Sequence, residues 1–193
     1  MKSIFLNPFV KHSEKTLLLV GGFSTLIGSL LAALFNVRFD GVIDAHVVSD
    51  LPFYQAFLDN LINIFCLVLF LLLAVKYINR KTRFVDILST AMVARIPLYL
   101  LPLSNINGAI GKSSEEIVQF ADPQLIGQIS MSAWIFIIVF AMLALLLLIW
   151  SVIILFNGFK VASNAKGTLP IILFIFSLVF AEILSKVFIH YFN

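Results

Sequence analysis

Residues 131–156 read MSAWIFIIVFAMLALLLLIWSVIILF. The run contains no charged residue, no glycine and no proline. As a helix it would be about 39 Å long at about 1.5 Å per residue, enough for a hydrocarbon layer of about 30 Å. A soluble surface helix needs a polar stripe, and this run has none. It is read as a membrane-spanning helix.

Four more segments fit the same reading. The first is 16–35 (TLLLVGGFSTLIGSLLAALF). The second is 57–78, whose first turns reach back to Pro52, with Asp50 as a candidate N-cap. The third, 84–103, is the least apolar, and the last is 168–189. The expected fold is all-α: a polytopic bundle of five transmembrane helices forming a single transmembrane domain over 1–193. Composition agrees. The 193 residues are 61% apolar and 12% charged, with 20 phenylalanines, against about 45–50% and about 25% in soluble domains. The mean hydropathy is +1.08. These values exclude a soluble enzyme, a secreted disulfide scaffold and a disordered chain. The single cysteine, Cys66, can form no internal disulfide and lies in an apolar run as a small core residue. The first apolar run is too long for a signal-peptide core and lacks an A-x-A-like end, so it is read as a retained helix.

Lysine and arginine set the expected orientation. Nine fall on one side: Lys2, Lys11, Lys15, Lys76, Arg80, Lys81, Arg83, Lys160 and Lys166. Two, Arg38 and Lys112, fall on the other. The N-terminus is therefore expected in the cytoplasm and the C-terminus outside. Trp134 and Trp150 lie about 24 Å apart along one helix, the spacing of an aromatic belt at the two interfaces. The basic residues are explained by topology, so no nucleic-acid partner is expected.

Several local patterns invite a chemical reading and fail it. Gly108-Ala-Ile-Gly111-Lys112-Ser113 resembles the tail of a phosphate loop, but Ile106 stands where its first glycine belongs. It is read as a turn-rich outer loop. Ser113-x-x-Glu116 is a capping-box pattern. It suggests a short amphipathic helix using Ile117 and Phe120, ended by Asp122-Pro123. Ser24 and His190 lie at depths too different for a nucleophile and its base. Ser24, Gly28 and Ala32 instead form a small-residue packing face, as do Ser177, Ala181 and Ser185. Asp40, Asp44, His46 and Asp50 are oxygen and nitrogen ligands in one loop, but loop spacing fixes no metal geometry. No cofactor or metal is expected.

The charges inside the apolar runs are the most informative residues. Arg95 lies about 16 Å into the third helix, near the midplane. Burying such a charge costs about 2.5–3.5 kcal/mol on insertion scales. Glu182 and Lys186 are four apart and share a helix face. Asp86 sits near the start of the third helix. The expected arrangement is an intramembrane cluster facing the bundle interior, with Glu182 the ionic partner of Arg95. Pro97 and Pro102 predict a break between about Val93 and Leu103. Its freed carbonyls offer Arg95 another use.

The stretches DILSTAMVARIPL (86–98) and WSVIILFNGFKVASN (150–164) resemble the Yip family of Ypt/Rab-interacting membrane proteins. Asn7-Pro8-Phe9 and Phe39-Asp40-Gly41 fit its shorter members. The resemblance covers nearly the whole chain. It implies five helices, a cytoplasmic N-terminus and an outer C-terminus. Eukaryotic members carry a longer N-terminal region with an Asp-Leu-Tyr-Gly-Pro motif. Here a tail of about fifteen residues lacks it, which counts against binding Rab-type GTPases. The compact form is similar to prokaryotic members, which implies the cytoplasmic (inner) membrane. The leading reading is a non-enzymatic membrane scaffold, or an interaction or trafficking-type protein. Its surroundings would be the lipid bilayer and a helix-packing protein partner or a homo-oligomer. The alternative is a small transporter or channel built on Arg95 and Glu182.

Overall fold

The run that opens at Met131 forms a helix longer than its apolar core. In the computed structural model, which describes residues 5–119, 129–164 and 166–192, it extends over Met131–Ser163. In chain order, α1 is Glu14–Phe35, α2 Phe53–Ile78, α3 Phe84–Ala94, α4 Ala109–Gln119, α5 Met131–Ser163 and α6 Leu169–Phe192. A 3-10 segment, Leu98–Gly108, joins α3 to α4. A short antiparallel pair, β1 (Val37–Arg38) and β2 (His46–Val47), follows α1. Five helical stretches are long and apolar enough to cross a membrane, with α3, the 3-10 segment and α4 counting as one stretch. The chain is thus compatible with an all-α, multi-pass membrane protein. Lys2, Phe120, Asp122 and Pro123 lie outside the described residues.

Local chemistry explains most helix ends. The Ser13 hydroxyl accepts from the Thr16 amide at the start of α1, and Asn36 ends it in the left-handed region at φ 53°. Pro52 occupies the N-cap position of α2, so Asp50 lies outside that helix and does not cap it. The Ser113-Glu116 pair is not a capping box. Ser113 sits within α4 and donates to the Ala109 carbonyl, while Glu116 accepts from the Ser130 amide at 2.6 Å, at the start of α5. The cap of α4 is Asn105, whose side-chain oxygen accepts from the amides of Ile110 and Gly111 at 3.1 Å each. Its side-chain nitrogen donates to the Phe35 carbonyl at the end of α1. The 108–113 segment is therefore mostly the first turn of a capped helix, not a loop.

The predicted window from Val93 to Leu103 holds the end of regular α-helix and its tightening to 3-10, but the residues whose backbone leaves the helical region, Asn105, Ile106 and Asn107, fall beyond it. Regular α3 stops at Ala94, Arg95 takes the C-cap position and the 3-10 segment follows Pro97. The Ala94 carbonyl accepts from the Ser151 hydroxyl of α5 at 2.7 Å. A neighbouring serine, not Arg95, satisfies that carbonyl.

Small residues set the helix contacts. On α1 the buried face is Gly21, Thr25, Gly28, Ser29 and Ala32, with Ser24 at its edge rather than in it. A Cβ on Gly28 would stand 2.3 Å from Tyr99 Cγ, and one on Gly21 2.7 Å from Met92 Cβ. On α6, Ser177, Ala181 and Ser185 are buried, and Ser177 donates to the Phe70 carbonyl of α2 at 3.2 Å. The span expected over 131–156 runs on to Ser163. The helix continues because Gly158 lets Thr90 of α3 approach, and Asn157 donates to the Leu6 carbonyl of the N-terminal segment. Cys66 is fully buried in the core formed by α2 and its neighbours.

Candidate functional site

The segment between α1 and α2 does not lie flat over the bundle. β1 and β2 form its stem, with Val37 opposite Val47 and Arg38 opposite His46. The residues between them turn back among the helices, where Phe39 and Val42 are each 3% exposed. Such an inserted turn brings amides and carbonyls away from water, and each needs a partner.

Side chains inside the apolar helices supply those partners. Asn63 of α2 donates from its side-chain nitrogen to the Phe39 carbonyl at 2.8 Å. Arg95 donates from Nη1 to the Val42 carbonyl at 2.8 Å and from Nη2 to Asn60 Oδ1 at 3.1 Å. The Glu182 carboxylate of α6 accepts from the Ile43 amide at 2.9 Å. Lys186 donates to Asp44 at 2.6 Å and lies 3.3 Å from Glu182. At the stem, Arg38 pairs with the buried carboxylate of Asp59 at 2.9 Å. Each intramembrane charge near the loop therefore grips the loop itself or the side chain that supports it.

This arrangement corrects one expectation. Arg95 and Glu182 form no ion pair with each other; they hold neighbouring residues of one loop, Val42 and Ile43. Arg95 is 1% exposed, and its guanidinium also lies over two rings, 5.6 Å from Phe39 and 5.8 Å from Tyr99. Those rings meet edge-on at 5.9 Å. The rings place electron-rich faces near a charge that has no carboxylate partner among the described residues. Asn60 extends the network by donating to Ser29 of α1, and Tyr99 donates to Thr25.

Gly41 is where backbone and carboxylate come closest. A Cβ there would lie 2.5 Å from Glu182 Oε1 and 2.8 Å from Oε2. The absence of a side chain lets Glu182 reach the next-but-one amide.

Asp86 does not join this cluster. It lies at the other end of α3, about 14 Å from Arg95 along the chain axis. There it bonds Arg83 at 2.9 Å, and Arg83 also bonds Glu14 of α1. Among Asp40, Asp44, His46 and Asp50, only Asp40 and His46 approach, at 3.3 Å. Among the described residues no three His, Cys, Asp or Glu side chains converge as a metal site. The Lys186 hydrogen bond holds the Asp44 carboxyl below its ordinary value of 3.8, against desolvation. This contact is at full strength above that value and weakens as pH falls below it.

Asp59, Asn60 and Asn63 went unread in the sequence as site residues. Their signal was present: three polar side chains at i, i+1 and i+4 lie together in the first half of a mostly apolar helix. Intramembrane polar residues are costly enough that each calls for a partner. No protein-family model, curated protein or solved structure matches the chain.

Proposed function

We propose that this chain is a non-enzymatic membrane scaffold of the Yip type, seated in the cytoplasmic (inner) membrane with its N-terminus in the cytoplasm. The observation that supports this reading is the closure of the charged cluster on the chain's own loop. A transport path needs polar groups that a passing solute can meet. Here Asp59, Asn60 and Asn63 are 0% exposed and Arg95 1%, and their hydrogen bonds run to Arg38, Ser29, Phe39 and Val42. The lipid-facing helices leave long apolar faces for contact with other helices. Val139 on α5 is 60% exposed and Phe180 on α6 50%.

Two measurements separate scaffold from transporter. Purified protein in liposomes should add no ion conductance above that of empty vesicles. A photo-crosslinker at Val139 in native membranes should yield a discrete adduct with a protein partner or a second copy. Conductance abolished by Arg95→Gln, with lipid adducts only, would favour the transporter.

The orientation has its own test. In a Cys66→Ala background, cysteines at Lys81 and Glu115 are both at exposed positions on opposite ends of the third pass. An impermeant thiol reagent added outside intact cells should label position 115 and not 81. The reverse pattern would overturn the cytoplasmic N-terminus.

A further inference from the structure

α1 and α5 both pack on α3, and two clefts lie where the three helices meet the N-terminal segment. The first is polar, about 570 Å³ in volume, and opens beside the first turns of α1 and α3. Its charged lining is Glu14, Lys15, Arg83 and Asp86. The second is an apolar crevice of about 220 Å³, walled by Val20, Val93, Ile96, Trp150 and Ile154 beneath Phe5 and Pro8. The two share His12 and Leu17 and so adjoin one another. Trp150 donates to the Phe5 carbonyl at 2.9 Å, which pins the segment that roofs the crevice.

Depth and charge together define the occupant. The polar cleft lies at the helix starts, where headgroups sit in a bilayer, and Val93 lies about 14 Å farther along α3. A ligand that fills both must be charged at one end and hydrocarbon at the other. The cleft offers two carboxylates, Glu14 and Asp86, and two cations, Lys15 and Arg83. Such a balanced set suits a zwitterion better than an anion. Carboxylates accept hydrogen bonds, so they favour an ammonium with N–H donors over a quaternary amine. Arg83 already bonds both carboxylates. Lys15 is exposed at the rim and takes part in none of these bonds, which leaves it for a phosphate.

We propose that the two clefts form one binding site for a phospholipid with a primary-ammonium headgroup. Its phosphate and ammonium occupy the polar cleft, and part of one acyl chain lies in the crevice against Trp150. This site is independent of the scaffold reading and requires only that the chain lie in a bilayer.

The test uses full-length protein in detergent, offered phosphatidylethanolamine, phosphatidylcholine or phosphatidylglycerol singly. Native mass spectrometry reads retained lipid. In a Trp134→Phe background Trp150 is the sole tryptophan, and its quenching by brominated acyl chains reports crevice occupancy. One phosphatidylethanolamine should be retained at least about tenfold better than phosphatidylcholine, with matching quenching. Lys15→Glu should lower retention of the amine and choline lipids alike, because it removes the cation that meets their shared phosphate, and Val20→Phe should displace the chain and restore Trp150 emission. Both positions are exposed, and an unchanged melting midpoint checks that the variants fold. Equal retention of the amine and choline lipids, preference for the glycerol lipid, or wild-type quenching in Val20→Phe would each overturn the site.

Discussion

Arg95→Met should destabilise the protein by about 3–5 kcal/mol, the sum expected for two buried hydrogen bonds from a charged donor. The loss has two parts. The Val42 carbonyl and Asn60 Oδ1 are left without the donor that reaches them at 2.8 and 3.1 Å. Hydrogen bonds to a charged group contribute about 1.5–3 kcal/mol each, and no water replaces them at this depth. Arg95→Lys should recover only part of the loss, because one ammonium cannot span both acceptors as a planar guanidinium does. Reversible unfolding in mixed micelles measures the difference. The loop should undock as well, so a cysteine at Val42, 3% exposed in the native fold, should become reactive. A variant within about 1 kcal/mol of wild type, the range of ordinary surface changes, would show that the loop does not depend on Arg95. Arg95 and Glu182 hold adjacent residues of this loop, so their losses should be less than additive although they do not touch. Reactivity at Val42 in each single variant distinguishes that indirect coupling from a direct pair.

Gly28→Leu should have the second large effect, about 3 kcal/mol, because it forces a side chain into a closed contact. A Cβ on Gly28 would stand 2.3, 2.4 and 2.8 Å from Cγ, Cδ1 and Cδ2 of Tyr99. Those atoms belong to a rigid ring in the Phe39–Tyr99–Arg95 stack, not to the free end of a flexible chain. The ring or α1 must move. Moving the ring breaks the Tyr99–Thr25 hydrogen bond, and moving α1 opens the Asn60–Ser29 contact. Tyr99→Ala removes the obstacle, so Gly28→Ala should cost much less in that background than in the wild type. The same unfolding experiment reads both, and strictly additive losses would show that the Gly28 contact does not limit α1 packing.

The five spans and the end of regular α3 ahead of Pro97 follow from the sequence alone, because both are local properties; the non-helical backbone at Asn105, Ile106 and Asn107 does not. Apolar runs of membrane length commit the chain wherever they occur, and proline removes a backbone donor whatever surrounds it. Small-residue faces on α1 and α6 were legible for the same reason, although α1 turns Gly21 and Thr25 inward and leaves Ser24 at the edge. The partners of the buried charges were not legible. Arg95, Glu182 and Lys186 read as charges in need of counter-ions, and the nearest charges in the helices are each other. The tertiary structure instead folds Phe39–Val42 into the bundle, with Ile43 and Asp44 at its exposed edge, 53 residues from Arg95 and 139 from Glu182 in the bonds that hold the turn. Once inside, its carbonyls and amides need donors and acceptors as strictly as any ion does, and that demand exists only after the turn is buried. Hydropathy decided which segments are long and apolar enough to cross a membrane; the insertion of one loop decided what the charges within them hold.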